Sequence, residues 1–154
     1  MLTAEEQKAA GELFASFSSK ALRQMAAEAA KTGFARELSP LATECVFARL
    51  WLRPGLDRRS RSLVTLGILI ALRATDELKV HALIALKNGL TLNEIEEVIY
   101  HASGYAGFPS ANAARAAAAE ALSLEGALGS NRDGGRSSAA DIRKIRPKRR
   151  RPQK

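Results

Sequence analysis

Cysteine is nearly absent from this chain: Cys45 is the single one in 154 residues. An internal disulfide and a paired-cysteine redox centre are therefore excluded, and no zinc-ligand spacing occurs. No apolar run reaches the ~18 residues of a membrane span. The first residues, MLTAEEQKAAG, are acidic and polar where a secretory leader would be basic and then apolar, so a cytoplasmic location is expected. Internal repeats, a glycine-rich phosphate loop and strand-like alternation of useful length are also missing. What remains is helical patterning, and the expectation is an all-α chain of about six helices. It divides into a helical domain over residues 1–125 and a tail over residues 126–154.

The formal charge of +8 invites a nucleic-acid reading, but its distribution argues against the folded part as the source. Residues 131–154 hold ten Lys and Arg against two acids, whereas the first 130 residues hold fourteen of each. The tail is rich in Gly, Ser and Arg and ends in RPKRRRPQK. It carries too little apolar surface to offset the entropy of ordering, so it reads as disordered and basic, with weak polyanion binding as its one implied activity.

Along the chain, helix starts and stops are well marked. Thr3 and Glu6 make a capping box, Leu13, Phe14, Phe17, Ala21, Leu22 and Met25 share one face, and Gly33 is a stop; one helix is expected from about Thr3 to Thr32. Ser39 before Pro40 opens a second helix through Cys45 and Phe47 to Trp51, closed by Arg53-Pro54-Gly55. Cys45 on it is expected to be an inert core residue, since nothing near it in sequence activates a thiol. Asp57 caps a third, from Arg58 to about Arg73, whose run SLVTLGILIAL is apolar nearly all round and should be central. Arg58, Arg59 and Arg61 at its start oppose the helix dipole, which suits either a solvated basic turn or an anion site.

Thr75, as N-cap, with Asp76 and Glu77 behind it, opens a fourth helix that Gly89 ends. Leu78, Ala82, Ala85 and Leu86 recur at helical spacing, and His81 lies among them, aimed inward. Thr91 and Glu94 form a second capping box, with Leu90 and Ile95 as a hydrophobic staple. That helix should bury Ile95, Val98, Ile99 and Ala102 and break at Gly104 and Gly107. A last one, from about Pro109 or Ser110 to Leu122, is alanine-rich and permits close helix approach.

Both histidines have a glutamate four residues upstream, Glu77 with His81 and Glu97 with His101. On a helix that spacing sets carboxylate beside imidazole, which can hold the ring and raise its pKa. Two such ligands with no further Cys or His nearby do not make a metal site.

The run LWLRPGLDRRSRSLVT from Leu50 to Thr65, and the continuation ELKVHALIALKNGLTLNEIEEVIYHASGYAGFPSANAA, resemble the signature of the 4-carboxymuconolactone decarboxylases. The likeness runs from about Leu41 to Ala121; the N-terminal helix fits loosely and the tail not at all. The resemblance implies the alkyl hydroperoxidase D-like all-helical fold, assembled as a ring-like homo-oligomer such as a trimer or hexamer. It implies a carboxy-lyase without cofactor or metal, converting 4-carboxymuconolactone to 3-oxoadipate enol-lactone and carbon dioxide in protocatechuate catabolism. On this resemblance His81 would be the proton donor or oxyanion donor, oriented by Glu77. Arg58, Arg61 and Arg53 would anchor substrate carboxylates, and His101 and Tyr105 would line the pocket.

Two rival readings differ in class. The superfamily's peroxidases carry a cysteine pair that falls here on Ala74 and Glu77, and their relay glutamate falls on Ser62, so that chemistry lacks its groups. A non-enzymatic helical oligomer acting through the basic tail is the other.

Overall fold

The structure, a computed structural model, describes residues 2–128. The basic run expected to be disordered lies outside the described residues. Within them the chain forms seven α-helices and one π-helical segment, with no strand.

Helix α1 is Ala4–Ser16, opened by the expected box: the Thr3 amide donates to Glu6 Oε2 at 2.7 Å, and the Glu6 amide donates to Thr3 Oγ1 at 3.2 Å. The single helix expected to Thr32 is in fact two. The chain breaks at Phe17-Ser18-Ser19, and α2, Lys20–Ala30, restarts with Ser19 as N-cap, its Oγ accepting from the Leu22 amide at 3.2 Å. Short hydroxyl side chains compete for backbone groups and favour such a break. A second cause is distant: the Glu125 carboxylate accepts the Ala21 amide at 3.0 Å, satisfying another free donor of the new helix start.

Helix α3, Leu38–Ala42, passes directly into the π-helical Thr43–Trp51. Ser39 is inside α3 rather than capping it; Glu37 holds the cap position without a side-chain bond, and the Ser39 carbonyl accepts from Thr43 Oγ1 at 3.0 Å. Phe47 and Trp51 are the buried residues of the π segment, and their rings stand 5.9 Å apart. Cys45 is exposed, contrary to expectation. The segment packs against α1 and α5 through its Phe47 and Trp51 side, and among the described residues Cys45 is left exposed.

Helix α4, Arg58–Leu72, is capped as expected: Asp57 accepts from the Ser60 amide at 2.9 Å and from Ser60 Oγ at 2.7 Å. It is central on one side only. Ser62, Leu66 and Ile70 are buried, but Val64, Ile68 and Leu72, which recur four apart, are each more than half exposed. The neighbours α5, α6 and α7 all meet the first stripe, and the second faces outward.

Arg73, left-handed at φ 56 and ψ 30, turns the chain so tightly that α5, Thr75–Lys87, begins within two residues. Thr75 is consequently the first helical residue and Ala74 stands at the cap position, without a side-chain cap bond. At the far end Gly89 adopts φ 89, and the Leu90 amide donates to the Ala85 carbonyl at 3.0 Å. Helix α6, Leu92–Ala106, has its capping box, with the Thr91 amide 2.9 Å from Glu94 Oε2, and Leu90 and Ile95 are both buried. Gly104 stays helical; the break is at Gly107, φ 83. Helix α7, Phe108–Glu125, buries Ala111, Ala114, Ala117, Ala118 and Ala121, and packs against α5, α6, α4 and α2.

Two apolar clusters result. The larger joins α4, α5, α6 and α7 with Ala21 of α2; the smaller is Leu13, Phe17, Phe47, Trp51 and Ile84. Helix α5 contributes to both, with Ala82 and Ala85 in the first and Ile84 in the second. It is the wall between them, and His81 stands on that wall.

Candidate active site

His81 is half-buried on α5, with its imidazole stacked on the Trp51 indole: centroids 6.2 Å apart, planes inclined by 24°. Trp51 is itself held, edge-on to Phe17 at 5.7 Å and tilted against Phe47 at 5.9 Å. Phe47 in turn meets Phe14 edge-on at 5.5 Å. A chain of rings thus runs from α1 through the π segment to the imidazole, and each offset or edge-on contact restrains the next.

Nδ1 of His81 is buried and has no hydrogen-bond partner. Burial alone pushes the imidazole pKa below its ordinary 6.5. The indole face pulls the other way, since a stacked cation gains about 0.5–1 kcal/mol there. The downward direction set by burial favours the neutral ring near pH 7. The expected partnership with Glu77 is corrected on both counts. Glu77 is exposed and does not reach Nδ1, and the pKa moves down where a carboxylate neighbour would move it up. The ring in contact with the imidazole is instead the Trp51 indole. Its signal in the sequence was its place, as the only tryptophan, at the head of the WLRPGL run.

The arginines separate into distinct tasks. Arg59 is paired with Glu94, joining the start of α4 to the start of α6. Arg61 turns to the preceding loop, its Nε donating to the Leu56 carbonyl at 3.0 Å and its guanidinium to the Arg53 carbonyl at 2.7 Å. That guanidinium clamps the Arg53–Leu56 turn in place of a free donor fork. Arg58 and Arg53 have exposed side chains.

His101 and Tyr105 come together as a tilted ring pair, centroids 5.0 Å apart, on the exposed side of α6, with Tyr105 84% exposed. They form a surface pair in this chain, and no ring contact joins them to Trp51 and His81 among the described residues. An enclosed void lined by Leu66, Ile70, Leu78, Ala82 and Ile95 is too narrow for any ligand. A groove of about 470 Å³ lined by Ala35, Arg36, Glu37, Leu38 and Leu41 includes none of the expected site residues. Among the described residues no three His, Cys, Asp or Glu side chains gather where they could share a metal ion.

Sequence reasoning missed Ser62 and Asn88 as partners. Asn88 Nδ2 donates to Ser62 Oγ at 3.0 Å, and Ser62 is 1% exposed. Ser62 is thus sealed in the α4–α5 contact.

Comparison with known proteins points in one direction. Over 81 residues the chain is 42% identical to the 4-carboxymuconolactone decarboxylase of Acinetobacter baylyi, covering 53% of this chain and 60% of that protein. Over 79 residues it is 47% identical to the nitrosuccinic acid decarboxylase of Metarhizium robertsii, covering 51% of this chain and 55% of that one. The chain thus spans little more than half the length of the relatives it matches. Residues 36–120, which run from the approach to α3 into α7 and include Trp51, Arg58, Arg61, His81, His101 and Tyr105, match the Carboxymuconolactone decarboxylase family, and the chain belongs to that family.

Proposed function

We propose that this chain is a carboxy-lyase that removes carbon dioxide from 4-carboxymuconolactone or a closely related carboxylated lactone, giving 3-oxoadipate enol-lactone in the catabolism of protocatechuate. The observation that carries the reading is 42% identity to a named decarboxylase, in a family match that includes His81 and both arginine-bearing turns.

The chemistry asks little of the protein. When the carbon–carboxylate bond breaks, its electron pair passes through the ring double bond into the lactone carbonyl, so the substrate is its own electron sink. The protein then supplies an anchor for the carboxylate that remains, a donor for the developing oxyanion, and an apolar wall that destabilises the departing carboxylate. Arg58 and Arg53 are the anchors in this reading, since the Arg61 guanidinium is engaged with backbone carbonyls. His81, neutral, donates from Nε2 to the oxyanion, and solvent protonates the ring carbon. Of the two roles expected for this histidine, the downward pKa favours the oxyanion donor over the cationic acid.

Nitrosuccinate is the second substrate reading, favoured by the 47% identity to an enzyme named for it. The two compounds share a chemical class: a carboxylate placed to leave its electrons in an adjacent acceptor, with a second carboxylate left to hold. The outward Val64, Ile68 and Leu72 stripe supports a homo-oligomer as the working form.

The test is carbon dioxide release from each compound against enzyme-free controls. Release in proportion to enzyme from at least one, reduced ~10²-fold by His81→Gln, is expected. No release from either at high enzyme concentration overturns the reading.

A further inference from the structure

We propose that Trp51 is a positioning residue for His81: its indole fixes the plane of the imidazole and closes Nδ1 to water, so that the ring meets substrate through Nε2 alone. This rests on the proposed role of His81, but its geometric half stands independently of any substrate.

Three observations carry it. The rings are stacked within 24° of parallel, which neither Phe17 nor Phe47 achieves with Trp51 at 70° and 37°. Trp51 is 6% exposed and braced by both of those rings, so its orientation is set by the fold before any ligand arrives. Nδ1 is the one buried side-chain nitrogen or oxygen without a partner among the described residues. A histidine whose second nitrogen is held by a carboxylate or carbonyl has its tautomer fixed by that bond. No such bond exists here, so stacking is what restrains the ring, and the neutral tautomer with its proton on Nε2 leaves only a lone pair at the closed position.

Charged groups on the elements around the ring do not substitute for this restraint. On α5 Glu77 is exposed; on the π segment Glu44 pairs with Arg49 at 3.9 Å; on α1 Glu12 pairs with Lys8 at 3.9 Å. Burial is the whole cause of the shift at His81, with no contribution from any of them.

The test has two arms. The first uses the unaltered chain without substrate. Trp51 is the only tryptophan, and protonated imidazole quenches a stacked indole, so emission should fall as pH is lowered through the His81 titration, with a midpoint under 6.5. His81→Gln should abolish that step. Flat emission in the unaltered chain, or a step that persists in His81→Gln, overturns the proposal. The second arm compares Trp51→Phe, which keeps a flat ring, with Trp51→Leu, which keeps apolar bulk but no stacking plane. Both are checked by thermal melting. Expected is kcat within about threefold for the Phe variant, and at least ~10-fold lower for the Leu variant with KM unchanged. Equal kcat in two folded variants overturns the positioning role and leaves Trp51 as packing. Should the Leu variant not fold, the emission arm decides alone. Should no substrate turn over, the proposed reaction fails while the emission arm still reads the stack.

Discussion

Asn88, at the end of α5, donates its side-chain amide to the buried hydroxyl of Ser62 in the second turn of α4. The two helices run antiparallel and are joined at their other ends by the left-handed turn at Arg73, so this bond closes the open end of the hairpin. It also links the RSRSL run to the KNGL run through atoms neither motif reveals alone. Ser62→Ala should cost about 1–2 kcal/mol, because the Asn88 amide loses its acceptor where water has little access. Urea denaturation checks it, and an unchanged midpoint would show that Asn88 finds another partner. Ser62→Glu should destabilise far more, since a carboxylate cannot be accommodated at a position 1% exposed without displacing Asn88.

The neutral state of His81 has a sign that kinetics can read. Its folded pKa lies below 6.5, so between the two values the unfolded chain binds the extra proton. Stability from this group is complete above pH 6.5 and is lost as pH falls through the folded pKa. The kcat/KM profile should follow the same limb, flat through neutrality and falling on the acid side. A cationic acid would give the opposite, activity falling as pH rises. His81→Gln should remove the stability limb in the corresponding denaturation series.

The Arg58 and Arg61 pair separates binding from folding. Arg58→Ala should raise KM with the melting temperature little changed, since its side chain is exposed. Arg61→Lys keeps the charge but cannot hold the Leu56 and Arg53 carbonyls in one planar fork, and should cost about 1 kcal/mol of stability. Steady-state kinetics beside thermal melts of both variants distinguish these outcomes. A KM effect confined to Arg61→Lys would reverse the assignment.

Local rules made most of the fold legible. Capping chemistry at Thr3, Asp57 and Thr91 marked three helix starts, because each rests on side chains within three residues of the amides they satisfy. The failures share a cause in distant or missing neighbours. The break before α2 is stabilised by Glu125, 104 residues away. Thr75 lost its cap position to the turn at Arg73, and Cys45 lies exposed because, among the described residues, the π segment packs through its Phe47 and Trp51 side. At the site, periodicity correctly set His81 against apolar surroundings, but spacing suggested Glu77 as its partner. Two side chains four apart on a helix can meet; whether they do depends on what competes, and here Trp51 arrives from another element while Glu77 remains in solvent.

Glu125 offers the most distant contact to test. It closes α7 and caps α2 at once, and its carboxyl is held below the ordinary 4.5, first by the Ala21 amide and then by the Ser19 hydroxyl. A lowered carboxylate pKa means that the stabilisation is present above pH 4.5 and is lost as pH falls through the folded value. Glu125→Ala should therefore destabilise the chain at pH 7 by about 0.5–1 kcal/mol, at the low end of cap losses because the carboxylate is open to solvent. Glu125→Gln, which can still accept one hydrogen bond, should lose less. Near pH 3 the gap between parent and Gln variant should narrow. Hydrogen exchange locates the effect: the Ala21 amide should exchange faster in Glu125→Ala, while amides in the middle of α5 keep their protection. Equal protection of Ala21 in both proteins would mean that Ser19 alone caps α2 and that the link from α7 is incidental.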